Sequence, residues 1–85
     1  MQPPDEILAR NLRKVRDQLD LSQEAVAAGA GMSARAYQRL ESGRSNPTLR
    51  TLVRVAASLR TTVAALTHGV SPDPEAEDPA AEPKT

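Results

Sequence analysis

Residues 22–46 read SQEAVAAGAGMSARAYQRLESGRSN, two short helices with a tight break between them. Ser22 is a good N-cap, since its hydroxyl accepts a bond from an otherwise unpaired N–H of the first turn. Gln23 and Glu24 follow, and Glu24 sits where the helix dipole favours negative charge. Val26 and the alanines around it can bury one face. The run Gly29-Ala30-Gly31-Met32 ends this helix over 23–29, with Gly31 free to take a positive φ. Gly29 inside the helix costs about 1 kcal/mol relative to alanine, so a loose helix end is expected. Ser33 caps a second helix over 34–42, which stops at Gly43. Its apolar residues Tyr37 and Leu40 are three apart and share a face. Arg35, Gln38 and Arg39 point elsewhere, toward solvent or a ligand.

A second helix presenting Arg and Gln after a glycine-containing turn is the pattern of a helix-turn-helix DNA reader. A bundle hairpin with solvated arginines and no nucleic acid fits the same spacing. Further residues separate the two. Ser22-Gln23-Glu24-Ala25-Val26-Ala27, Gly31-Met32-Ser33, Tyr37, Leu40-Glu41-Ser42-Gly43, Asn46-Pro47-Thr48-Leu49 and Leu52 together resemble the phage repressor/Cro family, the Xre-type helix-turn-helix proteins. The resemblance covers residues 8–67. It implies an all-α fold, a compact five-helix bundle (lambda repressor-like) that binds operator DNA as a dimer.

Eighty-five residues allow one small domain. Cysteine is absent, which excludes disulfides, a thiolate nucleophile and a zinc–thiolate site. The lone histidine, His68, cannot build a metal site, and no metal or cofactor is expected. No apolar run approaches the ~20 residues of a membrane helix, and the first residues hold no apolar signal region. A cytoplasmic protein is expected, with no membrane and no small-molecule ligand. The zero net charge hides an asymmetry: residues 1–70 carry +4 and residues 71–85 carry −4. The folded part is therefore basic, as a nucleic-acid partner requires.

Around the central hairpin, residues 1–4 form a short arm and 5–70 the domain. Leu8, Leu12, Val15 and Leu19 fall at i, i+4, i+7 and i+11, one stripe of a helix over 5–19. Arg10, Arg13 and Lys14 lie off that stripe, either on a solvated face or against a phosphate. Thr48 caps a fourth helix whose core stripe is Leu49, Leu52, Val55, Ala56 and Leu59. Arg60 stands where relatives often have glycine. Thr62 caps a fifth helix over 63–68.

The resemblance also implies roles. Arg16 pairs with Glu41, locking the first helix to the third. Gln23 bonds a phosphate and braces the recognition helix, consistent with the anion preference of a helix N-terminus. Ser33, Ala34, Arg35, Gln38 and Arg39 occupy the base-reading slots. Arg suits guanine O6 and N7, and Gln suits adenine N6 and N7. Tyr37 adds its ring to the core, and its hydroxyl reaches a phosphate in many relatives. Arg44, Ser45 and Asn46 resemble the phosphate-binding loop, with Thr48 or Arg50 beside it. Leu66, Thr67, His68 and Val70 stand at the dimer contact, a thin apolar set.

Residues 71–85 hold four prolines, five acids and no large apolar side chain. They are expected to form a disordered acidic tail, an inert terminus or a segment that binds a protein partner or repels DNA. Two functions follow. One is a dimeric, sequence-specific transcription regulator, probing a near-palindromic operator with two helices ~34 Å apart. Without an effector domain, autoregulation is the expected mode, as for a restriction–modification controller or phage-type repressor. The alternative is an antitoxin or protein-interaction module using the fifth helix or the tail. An enzyme is the weakest reading: one His, no Cys, no paired catalytic acids and no phosphate-cradling loop after a strand.

Overall fold

The computed structural model describes residues 4–70. The expected tail, and the arm apart from Pro4, lie outside the described residues. Five helices follow in order: α1 Pro4–Gln18, α2 Gln23–Gly29, α3 Ala34–Glu41, α4 Leu49–Ser58 and α5 Val63–Leu66. The all-α five-helix expectation holds, with no strand among the described residues.

Side-chain chemistry sets most of these boundaries. Ser22, Ser33, Thr48 and Thr62 each accept a bond from the N–H three residues on, at 3.0–3.1 Å. Each such cap contributes about 1 kcal/mol. The C-termini of α1 to α4 end alike. In α2 the Met32 N–H reaches back to the Ala27 carbonyl and Gly31, at φ +69°, turns the chain out. The same backward bonds run from Leu21 to Arg16, Arg44 to Arg39 and Thr61 to Ala56. This double-bonded ending needs one left-handed residue. Glycine fills it after α2 and α3, but Asp20 (φ +56°) and Arg60 (φ +54°) fill it after α1 and α4. The cap at Arg60 is thus made without glycine, at a cost of about 1–2 kcal/mol in backbone conformation.

The core joins all five helices: Leu8 and Leu12 of α1, Val26 of α2, Tyr37 and Leu40 of α3, Val55 of α4, Leu59 just after it, and Leu66 of α5. α3 packs on α1 and α2, α2 on α4, and α5 closes against α1 and α4. Asn11 ties that closure, donating from its amide to the carbonyls of Leu66 (2.8 Å) and His68 (2.9 Å).

Four expectations need correction. α1 starts one residue earlier and stops at Gln18, so Leu19 falls in the turn and is 40% exposed instead of completing the stripe. Ile7 and Ala9, flanking Leu8, are buried as well. Leu49 is 69% exposed: it opens α4 at the edge of the Leu52–Val55–Leu59 face, with no preceding turn to cover it. Gly29 does not loosen α2. A Cβ there would stand 2.4 Å from Ser58 Oγ, which itself donates to the Val26 carbonyl at 2.8 Å. Glycine lets α4 approach α2, and that contact offsets its low helix propensity.

Candidate nucleic-acid interface

The position of α3 is set from behind. Glu41, at its C-terminal end, is only 3% exposed yet charged. Its carboxylate accepts two bonds from the Arg16 guanidinium, Nε to Oε2 at 2.6 Å and Nη2 to Oε1 at 3.0 Å. Gln23 Nε2 adds a third, to Oε1 at 3.0 Å. Arg16 also donates to the Leu21 carbonyl at 2.9 Å, and Arg13 donates to the Glu41 carbonyl. Burial pushes the Glu41 carboxyl up, but its bonds to Arg16 and Gln23 and its neighbour Tyr37 outweigh this and hold it below the ordinary carboxylate range. The bond to Glu41 likewise raises Arg16. Three helices thus meet at one carboxylate: α1 through Arg16, α2 through Gln23, α3 through Glu41. A two-pronged arginine–carboxylate pair fixes direction as well as distance.

Tyr37 lies beside this pair. Its side chain is fully buried, and its hydroxyl has no partner of regular hydrogen-bond geometry. Burial, then the adjoining Glu41 carboxylate as a close polar neighbour and as a charge, raises the phenol far above its ordinary value. The expectation that this hydroxyl touches a phosphate is therefore corrected: it faces the Glu41–Arg16 pair, closed off from any ligand.

The front of α3 is open. Arg35, Gln38 and Arg39 are exposed, and with Ser42 and Arg44 they line a shallow hollow of about 420 Å³. Ser33 is exposed at the helix start and Ala34 half-buried beside it. Ser33 Oγ accepts the capping bond from Ala36, which leaves its proton to give. Below this face the loop after α3 turns at Gly43, φ +72°, with Glu6 of α1 packed close. Arg39, Ser45, Asn46, Pro47 and Thr48 line an adjoining hollow. Thr48 Oγ1 is held as the α4 cap and also bonds Thr51 Oγ1 at 3.1 Å. Gln23, half-buried, spends one amide N–H on Glu41 and keeps the other.

At the other end, Leu66 is buried in the core and is removed from the expected dimer contact. Its carbonyl accepts from Asn11, so the α5 end is turned inward. Thr67 is half-buried and His68 and Val70 remain exposed. The large exposed apolar side chains among the described residues are Leu19, Leu49, Val53 and Val70. Leu49 and Val53 are one turn apart on α4. Among the described residues no group of three or more metal-ligating side chains converges, and no helix is long and apolar enough to cross a membrane.

Arg13 and Asn11 were not identifiable as contacts from sequence. Arg13 reads as a charge off the core stripe, on a solvated face or against a phosphate, and nothing along the chain singles out Asn11. Only the placement of the α3 and α5 ends against α1 gives them partners.

Known proteins agree with this geometry. Residues 12–66 match the model of the helix-turn-helix family HTH_3. The restriction–modification controller protein C.AhdI from Aeromonas hydrophila superposes with a TM-score of 0.71 at 26% identity, over 73% of this chain and 94% of that one. A hypothetical transcription factor, NHTF from Neisseria, gives 0.74 at 29% identity, over 78% and 76%. Hydroxypropylphosphonic acid epoxidase from S. wedmorenis gives 0.71 at 28% identity over 79% of this chain, but only 36% of the enzyme is covered. No curated protein sequence matches. With a matched segment that includes both hairpin helices and the core residues behind them, the chain belongs to the HTH_3 family of Xre-like helix-turn-helix proteins.

Proposed function

We propose that this DNA-binding transcription regulator acts as a dimer on a near-palindromic operator and controls its own level. The observation that carries the reading is the two-sidedness of α3. Tyr37 and Leu40 are held in the core, so Arg35, Gln38 and Arg39 must project from the opposite side, beside Arg44. Arg35, Gln38 and Arg39 read base edges, with Ser33 and Ala34 at the entry of the helix. Arginine–guanine contacts dominate, because Arg pairs with two acceptors of one base. Arg44, Ser45, Asn46, Gln23 and Thr48 hold phosphates; Gln23 uses its second amide N–H. These contacts orient the protein and carry no sequence information. C.AhdI, a restriction–modification controller, supports a regulator of this one-domain size.

The dimer contact is built on the exposed apolar side chains Leu49 and Val53 of α4, 69% and 51% exposed, with Val70. Val70 shares a hollow with Leu52 and Pro47, at the same end of α4. Sedimentation of Val53→Asp tests this contact: a monomer is expected, and an unchanged dimer removes α4 from the interface.

The operator is tested by selecting fragments from the sheared source genome with wild type and Arg39→Ala in parallel. A short inverted repeat recovered by wild type alone supports a specific regulator. Random fragments from both, or none, shift the assignment to a protein-interaction module.

A further inference from the structure

We propose that residues 71–85 fold back along the basic face of α3 and compete with DNA for it; this rests on the reading of that face given above. Three observations carry it. The first is where the described chain ends. Val70 lines a hollow with Asn46 and Pro47. Asn46 and Pro47 line the next hollow with Arg39, and Arg39 lines the third with Arg35, Gln38, Ser42 and Arg44. The chain therefore leaves the fold on a surface continuous with the arginines. Asp5 also lines the first hollow, so the attractive ground begins beyond it, at Arg39 and Arg44.

The second is charge. Asp73, Glu75, Glu77, Asp78 and Glu82, less Lys84, give this segment −4 against +4 for residues 1–70. The third is reach. An extended chain covers about 3.3–3.6 Å per residue, so Asp73 lies within about 10 Å of Val70 and Glu82 within about 40 Å. α3 itself, at 8 residues, is about 12 Å long. The acids are thus spaced to span it.

The segment has no large apolar side chain, so its hold is Coulombic and falls with salt. Tethering raises its effective concentration at the face to the millimolar range. An intramolecular competitor weakens every duplex by one factor. It lowers affinity and the salt slope while leaving the preference for the operator intact.

The test uses the full chain with Asp73→Asn, Glu75→Gln, Glu77→Gln, Asp78→Asn and Glu82→Gln together. With no native cysteine, Ala81→Cys carries a spin label at a single site. Without DNA, at about 50 mM salt, the label should broaden the amide signals of Arg39 and Arg44, and the five-fold neutralised chain should lose the effect. Uniform or absent broadening overturns the docking. On a random-sequence duplex the neutralised chain should bind about tenfold tighter at about 50 mM salt, from a few exposed ion pairs, and equally near 500 mM. Equal, strong binding by both at low salt overturns the competitor while sparing the DNA reading. Failure of both to bind any duplex sinks the two together, and the broadening still decides the docking.

Discussion

Replacing Glu41 by Gln should unfold this protein more readily than any single change on the exposed face of α3. The side chain keeps its size and one acceptor, but the carboxylate that takes Arg16 at 2.6 and 3.0 Å and Gln23 at 3.0 Å loses its charge. Arg16, half-buried, is left without its counter-charge. Breaking such a pair from one side costs about 3–5 kcal/mol. Partial exposure of Arg16 puts the loss near the lower figure, and about 3 kcal/mol in a fold of this size lowers Tm by about 12–24 °C. Removing both partners, Arg16→Met with Glu41→Leu, should recover most of it, because no charge is stranded. The pH dependence carries a sign. Glu41 titrates in the fold below its ordinary value of 4.5. Its contribution is therefore complete above about 4.5 and is lost as pH falls through the folded value. Urea unfolding followed by helical circular dichroism should show a constant gap between wild type and Glu41→Gln from pH 8 to about 5, shrinking below that. A gap under about 1 kcal/mol at pH 7, or one unchanged at pH 3, would refute the assignment of this carboxylate as the charged lock of α3.

Arg39→Ala should abolish preference among duplexes, while Arg44→Ala should weaken all duplexes alike and reduce the salt slope by about one; titration of operator and random DNA over a salt series separates the two. Tyr37→Phe should leave DNA affinity unchanged, because the hydroxyl is sealed in the core; a drop of tenfold or more in a binding titration would show that it reaches a phosphate after all. Gly29→Ala should destabilise by about 1 kcal/mol, the helix-propensity gain being outweighed by the Ser58 contact, and should be harmless in a Ser58→Ala background; a denaturation double-mutant cycle reads the coupling. Arg60→Gly should stabilise by about 0.5–1 kcal/mol, the left-handed strain relieved less the extra freedom of the unfolded glycine; a fall in the urea midpoint would show that the Arg60 side chain holds the turn.

What was legible from sequence was whatever depends on neighbours along the chain. Ser22, Ser33, Thr48 and Thr62 announce helix starts because a cap bonds a group three residues away, and Gly31 and Gly43 announce stops because a left-handed residue is needed there. The breaks at Asp20 and Arg60 were weaker signals, since their backbone bonds to earlier carbonyls serve where glycine is missing. Tyr37 and Leu40 likewise fixed which side of α3 faces inward, and hence which side is left for a ligand.

The errors share the opposite property. Whether Leu49 is covered depends on what lies over the first turn of α4. Whether Gly29 weakens α2 depends on Ser58, twenty-nine residues on. Whether Tyr37 shows its hydroxyl depends on how deep α3 sits, and that depth is set by Arg16 and Gln23 closing on Glu41. The pair Arg16 and Glu41, which only the family resemblance picks out along the chain, governs the site: it ties the C-terminal end of α3 to α1. With that end fixed and the N-terminal end capped by Ser33, the helix has little freedom to roll. Arg35, Gln38 and Arg39 then occupy one orientation on the outer face. If that face reads bases as proposed, its specificity rests on a buried carboxylate, and a variant that loosens Glu41 should lose discrimination between duplexes before it loses affinity for them.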